Sequence, residues 1–221
     1  MTSWKNDKEL FEVLKKEFYT GVLLDMLDTL GYSHQYLGHK IQGLRPEDVM
    51  VGRAYPTIIC DVYGEQEKPL GLLAEAIDNI SEGEVYIVTG GDRRASYFGE
   101  IMAATVKRRG AVGAVIDGFM RDTKQVLEQD FPVYSMGRDA QGSLYRNQVI
   151  RYGCPVEINN IKINPGDIIF ADIDGVVVIP QEIEEEAIRV TLEKVRGEKD
   201  TRAAIEQGMS AVDAVDTFGA F

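Results

Sequence analysis

The 221-residue sequence has few of the side chains from which metal and nucleophilic sites are commonly built: two histidines, two cysteines and one tryptophan. Cys60 and Cys154 form no CxxC pair and lie in strand-like runs, so we expect reduced core thiols and a cytoplasmic protein. His34 and His39 share a polar loop, which is typical of surface histidines. A zinc cluster is therefore not expected, and any bound metal should be an oxygen-ligated ion such as Mg²⁺ or Mn²⁺.

Several other signals are missing. No apolar run approaches the ~18 residues that span a bilayer, and the charged N-terminus has no apolar signal-peptide core. The glycines of Gly90-Gly91-Asp-Arg-Arg lack GxGxxG spacing, and there is no Walker A or GxSxG motif. No lysine lies on an apolar strand, which argues against a Schiff base. A formal net charge of −12 does not suit phosphate binding. We therefore expect neither a membrane nor a nucleic acid as partner.

The apolar residues that are present indicate one globular domain. Hydrophobic residues make up 44% of the chain, enough for a sizeable core. Strands and helices alternate first, hairpins follow between 155 and 180, and the chain is helical from 181. The pattern predicts a single α/β domain, residues 1–221, with a mixed sheet and C-terminal helices. Helices are predicted over 7–18, 22–30, 70–80, 99–109 and 123–128, and strands over 54–62, 85–89, 111–117 and 133–136.

The stretch GAVGAVIDGFMRD ends an apolar strand with two adjacent charges, Arg121 and Asp122. The strand is predicted to end at Asp117, with Gly118 turning the chain. Spacing alone favours a structural role, because Asp122 and Gln125 match a capping box for the next helix. Arg121 would then pair with a surface carboxylate. The alternative is a catalytic cation beside a metal ligand.

A second helix start favours that alternative. Gly99 and Glu100 open the helix that precedes the apolar strand, and glycine permits close backbone approach. The free N–H groups of a first helical turn can hold an anion, although Glu100 there also simply suits the helix dipole. Because helix and strand are consecutive, Glu100 and the Arg121-Asp122 pair can converge at one edge of the sheet.

Glu100, twenty intervening residues and Arg121-Asp122 resemble the acidic-X20-Arg-Asp signature of the RraA-like family. That family includes 4-hydroxy-4-methyl-2-oxoglutarate aldolases and oxaloacetate decarboxylases. The resemblance covers nearly the whole chain and implies a layered β/β/α fold of the swivelling-domain kind. It also implies a homotrimer or a dimer of trimers, which apolar residues in the tail support weakly. The further segments that carry the resemblance are GVLLDMLDTLG, GEIMAATVKRRGAVGAVIDGFMRD, NPGDIIFADIDGVVVIP and EQGMSAVDAV, and the tail residues are Val212, Val215, Phe218 and Phe221.

The resemblance assigns roles to six residues. The backbone N–H groups of Gly99, Glu100, Ile101 and Met102 would hold a pyruvate carboxylate. Arg121 would bind the 2-oxo oxygen. Asp122 would be the direct protein ligand to Mg²⁺ or Mn²⁺, with water in the remaining positions.

Two features depart from the family pattern or lie outside it. The family's aldolases usually have Asp where this chain has Glu100, whose extra methylene moves the carboxylate by about one C–C bond. Some of them use a carboxylate from a neighbouring subunit. Glu184, Glu185 and Glu186 are candidates for it, although a solvated helix face accounts for each of them more simply.

The implied activity is that of a divalent-metal-dependent pyruvate aldolase acting on a small 2-oxo acid. Glu100 and Arg121 would be catalytic: Glu100 by positioning the water that moves protons at the C4 hydroxyl, Arg121 by stabilising a pyruvate enolate. Oxaloacetate decarboxylation passes through the same enolate. The resemblance also implies an alternative, a non-catalytic regulator, because the family takes its name from a protein that binds and inhibits an endoribonuclease. An acidic surface suits docking on a basic partner.

Overall fold

A computed structural model describes residues 4–218, whose central feature is a mixed sheet of nine strands. Seven follow the order β1-β6-β5-β3-β2-β10-β11, while β4 pairs with β5 and β7 with β2. β8 and β9 form a separate hairpin. The strands are β1 (Gln42–Gly43), β2 (Met50–Asp61), β3 (Glu84–Thr89), β4 (Ser96–Phe98), β5 (Gly113–Met120), β6 (Val133–Arg138), β7 (Asn147–Tyr152), β8 (Val156–Ile158), β9 (Ile161–Ile163), β10 (Ile168–Asp172) and β11 (Gly175–Ile179). The helices are α1 (Asp7–Glu17), α2 (Thr20–Thr29), α3 (Leu73–Asp78), α4 (Glu100–Arg108), α5 (Thr123–Glu128), α6 (Glu184–Glu206) and α7 (Ala211–Phe218).

The centre of the sheet is parallel. β2, β3, β5 and β6 run in one direction, and β10 and β11 extend the sheet on the β2 side as an antiparallel pair. β3 and β5 are buried along almost their whole length, as expected for parallel strands covered on both faces. This burial explains why the two strands read as continuous apolar runs in the sequence.

Two different layers cover the sheet. The β8–β9 hairpin packs on one face through Ile158 and Ile161, against residues such as Ile87 of β3. On the other face, α4 and α5 cover β3 and β5, while α1, α2 and α6 cover β10 and β11. The predicted α/β class, with β/β/α layers, a mixed sheet and C-terminal helices, is confirmed. The β8–β9 hairpin falls within the predicted hairpin region, and its turn is formed by Asn159 and Asn160, with φ angles of 51° and 61°.

The strand that leads to the charged pair is longer than predicted. β5 does not end at Asp117, and Gly118 does not turn the chain, since the strand continues to Met120. β4, which the sequence did not reveal, pairs with this extension through Phe119 and Met120. A Cβ at Gly118 would lie 2.8 Å from the Tyr97 ring, so glycine permits this close packing. The Arg-Asp pair therefore follows the strand directly.

The other differences are local. The helix predicted over 70–80 is confined to Leu73–Asp78, because Leu70 and Gly71 both have φ near 63° and cannot join it. The two-residue strand β1 follows the polar loop that holds His34 and His39 and was not predicted. Over residues 4–218, no helix is long and apolar enough to cross a membrane.

Candidate active site

Arg121 and Asp122 lie immediately beyond the end of β5. The Arg121 N–H donates to the Phe98 carbonyl oxygen (2.9 Å), which fixes the pair beside the chain that enters α4. Asp122 has a left-handed backbone, with φ 55° and ψ 35°, and precedes α5. Its side chain makes no capping hydrogen bond to α5. The capping-box interpretation of Asp122 is therefore wrong.

The carboxylate of Asp122 instead lies at the start of α4. Its Oδ2 accepts a hydrogen bond from the Glu100 N–H at 3.3 Å and lies 3.5 Å from Nε of Arg121. A Cβ on Gly99 would come within 2.7 Å of the same oxygen. The φ of Gly99 is −157°, extended backbone that any residue adopts, so glycine is needed here for space.

The first turn of α4 has unpaired donors. Gly99, at the N-cap, has no side chain with which to cap the helix. Within the described residues, the N–H groups of Ile101 and Met102 have no hydrogen-bond acceptor, while the Ala103 N–H donates to the Gly99 carbonyl. Free N–H groups at a helix start favour an anionic ligand. Of the predicted carboxylate-binding loop, Ile101 and Met102 therefore have N–H groups free for a ligand, whereas the Glu100 N–H donates to Oδ2 of Asp122.

The Arg121 guanidinium is placed to meet a ligand. Its side chain is 48% exposed, and among residues 4–218 its carboxylate partner is Asp122. A Cβ on Gly142 would lie 2.5 Å from Nη1 of Arg121, so the missing side chain at Gly142 leaves room for the guanidinium. No sequence pattern pointed to Gly142, because it contributes only empty space. Arg121 was predicted to pair with a surface carboxylate, and the carboxylate that it contacts is that of its sequence neighbour, Asp122.

All of these groups open on one cavity of about 490 Å³. Beyond its charged end the cavity is mainly apolar and reaches Tyr86 of β3 and Asn147 of β7. These two residues were not predicted as part of a site, since Tyr86 reads as an ordinary strand residue and the stretch around Asn147 was assigned to no element. The predicted site residues that line the cavity are Gly99, Glu100, Ile101, Met102, Arg121 and Asp122.

The carboxylates considered for proton transfer differ in their contacts. The Glu100 side chain makes no hydrogen bond within the described part of the chain, although its carbonyl oxygen accepts one from Gln129. Glu184 forms an ion pair with Arg53 at 2.5 Å, and Glu186 forms one with Arg189. Among the described residues of this protomer, the carboxylates that line the cavity are Glu100 and Asp122.

Asp117, the other acidic residue of the central motif, has a structural role. It is buried on β5, where its carboxylate accepts two hydrogen bonds from Arg93, at 2.8 and 2.9 Å. The Thr89 hydroxyl donates a third at 2.7 Å. A buried carboxylate that is satisfied in this way holds the loop after β3 against β5.

Asp122 is the residue that could hold a metal ion. Its side chain is 42% exposed, so one carboxylate oxygen can bind a ligand while Oδ2 keeps its weak contact with Glu100. Among residues 4–218, no three His, Cys, Asp or Glu side chains converge as a ligand cluster. A single carboxylate with water and substrate in the other positions is compatible with Mg²⁺, which retains several waters in protein sites.

Comparison with known proteins places the chain in a family. A family model described as RraA-like, Aldolase/RraA, matches residues 20–178. The chain is 28% identical, over 88% of both proteins, to a Halalkalibacterium halodurans protein named "Putative 4-hydroxy-4-methyl-2-oxoglutarate aldolase". It is 30% identical to protein DlpA of Legionella pneumophila over 66% of this chain, but that match spans only 24% of DlpA.

Two solved structures share the fold. An uncharacterized protein from Pseudomonas syringae superposes with a TM-score of 0.84 at 27% identity, covering 98% of this chain and 97% of that one. RraAS2 of Streptomyces coelicolor, described as an unusual member of the RNase ES inhibitor RraA protein family, gives 0.78 at 24% identity and covers 91% and 99%. The chain therefore belongs to the RraA-like (Aldolase/RraA) family, as its sequence motifs predicted.

Proposed function

We propose that the protein is a divalent-metal-dependent pyruvate aldolase that cleaves a 4-hydroxy-2-oxo acid into pyruvate and a second carbonyl compound. The observation that carries this proposal is the position of the Asp122 carboxylate. It does not cap α5 but lies between the start of α4 and the Arg121 guanidinium, inside a cavity. The aldolase name of the relative from H. halodurans supports the same class of substrate.

Substrate binding would use the backbone of α4. The unpaired N–H groups of Ile101 and Met102 would donate to the 1-carboxylate, with the helix dipole adding positive potential. Arg121 would donate to the 2-oxo oxygen, which is uncharged in the substrate and negatively charged in the enolate. Its contribution would therefore be larger in the transition state than in the bound substrate, which is what catalysis requires.

The residues present fit a metal ion on Asp122. When bound there, Mg²⁺ or Mn²⁺ would supply a Lewis acid for the 2-oxo group.

The side chains of the site would manage charge and protons. Cleavage breaks the C3–C4 bond, takes the proton from the C4 hydroxyl and leaves the electron pair in the pyruvate enolate. Glu100, whose carboxylate has no hydrogen-bond partner in the described residues, would orient the water that accepts this proton. A proton delivered to C3 then completes pyruvate. Oxaloacetate loses CO₂ to give the same enolate, so the site would also act as an oxaloacetate decarboxylase.

A second candidate function is regulation of an endoribonuclease. The formal net charge of −12 suits docking on a basic protein, and the Streptomyces structure of the same fold is described as related to an RNase ES inhibitor. A docking surface has no need of an arginine and two carboxylates around a cavity. The arrangement of Glu100, Arg121 and Asp122 therefore favours the enzyme.

The remaining proposals follow from family membership. We propose that residues 1–221 form a single RraA-like domain, that the protein is cytoplasmic, and that it assembles as a homotrimer or homohexamer. A carboxylate from a neighbouring subunit would then be able to complete the site. Of the three candidates at the start of α6, Glu185 is the one without an ion-pair partner in the described residues.

Pyruvate release tests the proposal directly. Purified protein with Mg²⁺ should release pyruvate from 4-hydroxy-2-oxo acids and from oxaloacetate in a coupled assay. EDTA should abolish release without changing the circular dichroism spectrum, and Mg²⁺ or Mn²⁺ should restore it. Because Mg²⁺ alone promotes oxaloacetate decarboxylation, Asp122→Asn protein at the same metal concentration is the control. Absence of pyruvate from every substrate, together with inhibition of an endoribonuclease, would establish the regulator instead.

A further inference from the structure

The part of the cavity beyond its charged end limits the kind of substrate that the site can accept. Its wall there consists mainly of carbon, contributed by α3, by the ends of β2 and β4, by the first turn of α4 and by β7. The volume of about 490 Å³ is much larger than pyruvate needs, so a further substituent can enter. Representative apolar residues of this wall are Ile59, Leu73, Ile77, Phe98, Met102 and Val149.

The charges around the cavity are unfavourable for a second anionic group. Of the described residues that line it, Glu100, Arg121 and Asp122 are charged, and only Arg121 is a cation. The proposed mechanism already uses Arg121 at the 2-oxo oxygen. Arg146 belongs to the same region of the chain, but its guanidinium donates to the carbonyl oxygen of Leu144 at 3.0 Å. A second carboxylate in the apolar part would be desolvated without a partner, which is costly.

Two residues that line the cavity, Tyr86 and Asn147, carry buried polar atoms. The Tyr86 hydroxyl and Oδ1 of Asn147 are both buried, and neither makes a hydrogen bond of normal geometry in the described structure, although the buried Thr57 hydroxyl lies close enough to Tyr86 to act on its pKa. Nδ2 of Asn147 donates to Asp61 at 2.7 Å, and because a carboxylate only accepts, this bond fixes the orientation of the amide. Burial raises the pKa of Tyr86, so the hydroxyl stays protonated and able to donate. Unpaired buried polar atoms are rare unless a ligand or water pairs with them.

We infer that this cavity selects 4-hydroxy-2-oxo acids whose C4 substituent is uncharged, mainly apolar, and carries one hydroxyl group that pairs with Tyr86. The inference rests on the proposed function and narrows it. The products would be pyruvate and an uncharged hydroxyaldehyde. Dicarboxylic substrates, such as the 4-hydroxy-4-methyl-2-oxoglutarate in the name of the relative, would be disfavoured. Tyr86 would be a specificity-determining residue outside the chemistry itself.

Three substrates that differ only at C6 test the selectivity. They are 4-hydroxy-2-oxohexanoate, 4,6-dihydroxy-2-oxohexanoate and 4-hydroxy-2-oxoadipate, which end in a methyl, a hydroxymethyl and a carboxylate group. We expect kcat/KM for the adipate to be at least about tenfold below that of the other two, because its carboxylate is buried unpaired. We expect the dihydroxy acid to be cleaved best. If kcat/KM for the adipate equals or exceeds that for the methyl compound, the inference is overturned. Pyruvate release from the adipate would still support the aldolase proposal.

Variants separate a binding role of Tyr86 from a structural one. Tyr86→Phe should raise KM for the dihydroxy acid about tenfold, with little change in kcat and none in kcat/KM for the methyl compound. The matched control is Thr57→Val, because the buried Thr57 hydroxyl lies within hydrogen-bonding reach of Tyr86. If Tyr86 only pairs with Thr57, both variants will lower the melting temperature alike and leave KM unchanged. That outcome removes Tyr86 from the specificity site.

A binding measurement keeps the inference testable if the aldolase proposal itself fails. The inert pair 2-oxohexanoate and 2-oxoadipate differ only by a methyl or a carboxylate at C6. With Mg²⁺ present, calorimetry should show tighter binding of 2-oxohexanoate by at least about tenfold. Ile77→Phe should fill part of the cavity and weaken the binding of 2-oxohexanoate but not that of pyruvate. Ile77→Val should change neither affinity. Equal affinities of the wild type for the pair would overturn the inference.

Discussion

At the scale of single residues, the backbone of Asp122 is the most informative feature of the site. A left-handed conformation is uncommon outside glycine, and Asp and Asn tolerate it better than most residues. Here it is combined with a carboxylate that leaves its own helix uncapped and contacts the Glu100 N–H. This hydrogen bond joins Glu100 and Asp122, two residues of the predicted motif that are twenty-two positions apart in the sequence.

Asp122→Asn separates a metal ligand from a structural residue. The substitution keeps the volume of the side chain, tolerates a positive φ and removes no capping hydrogen bond, because none is present. The free energy of unfolding should therefore change by no more than about 0.5 kcal/mol. A neutral amide is a poor Mg²⁺ ligand, so calorimetric Mg²⁺ binding and metal-dependent activity should both be lost. A variant that unfolds at a much lower temperature would indicate a structural role instead.

Arg121→Lys tests the geometry of the cation and not its charge. Lysine keeps the positive charge but loses the planar fork that can hold an oxygen beside Asp122. We expect kcat/KM for pyruvate release to fall on the order of 10²–10³-fold, as for removal of one stabiliser of a developing anion. Mg²⁺ affinity measured by calorimetry should stay nearly constant. A rate loss of less than about twofold would mean that Arg121 acts only through its charge at a distance.

Glu100→Gln distinguishes proton transfer from carboxylate binding. Oxalate affinity should be preserved, because backbone N–H groups of α4 are expected to hold the carboxylate. Turnover of a 4-hydroxy-2-oxo acid should fall on the order of 10²-fold if Glu100 organises the water that accepts the hydroxyl proton. Oxaloacetate has no such hydroxyl, so its decarboxylation should suffer less. Equal losses for both substrates would assign Glu100 a role outside the proton path.

At the scale of elements, the approach of α4 to the end of β5 depends on one missing side chain. Gly99→Ala places a Cβ 2.7 Å from Oδ2 of Asp122, which is too close for a non-bonded contact, although the backbone angles themselves suit alanine. We expect the carboxylate to be displaced and Mg²⁺ affinity to fall about 10- to 100-fold, as for other changes that misorient a ligand.

Calorimetry and thermal unfolding provide the readouts for Gly99→Ala. Gly21→Ala in α2 is a suitable control, because a Cβ there meets nothing closer than 3.6 Å. The control should keep full Mg²⁺ affinity. Unchanged affinity in Gly99→Ala as well would mean that the Asp122 carboxylate is not the metal ligand.

The elements also show how far the sequence alone predicts the fold. Helix α1 and strands β3 and β5 were predictable, because their apolar residues repeat with the period of a helix or form one buried run. β4 and β7 were missed, since a short or partly polar strand is defined by the neighbour it pairs with and not by its own residues.

The candidate site was predictable to a similar extent. The charged residues and Gly99 form a motif, so their identities could be read from the sequence. The direction of the Asp122 carboxylate could not, because it depends on a single left-handed backbone conformation. Gly142 and Tyr86 reach the cavity only through long-range packing, for which a single sequence carries no signal.

At the scale of the whole molecule, the C-terminal helix leaves apolar surface uncovered. Val212 is 70% exposed, while Val215 and Phe218 are 41% and 40% exposed. Only Ala214 of α7 is buried. Phe221, predicted to belong to the same surface, lies outside the described residues. Apolar residues grouped on one short helix favour contact with another protein surface. This observation supports the proposed trimer or dimer of trimers.

Light scattering tests the assembly, and two variants test the surface. The mass of the wild-type protein measured by light scattering at micromolar concentration should be that of a trimer or a hexamer. Combined substitution of Val212→Asp and Val215→Asp should shift it toward the monomer, because each new carboxylate would be buried without a partner at the interface. Ile173→Asp is the control, since Ile173 is also exposed, at 55%, but lies in the turn between β10 and β11.

If a neighbouring subunit completes the site, the double variant should also lose pyruvate release while retaining its circular dichroism spectrum. A wild-type monomer would contradict the proposed assembly, and full activity in a monomeric variant would show that one subunit contains the entire site.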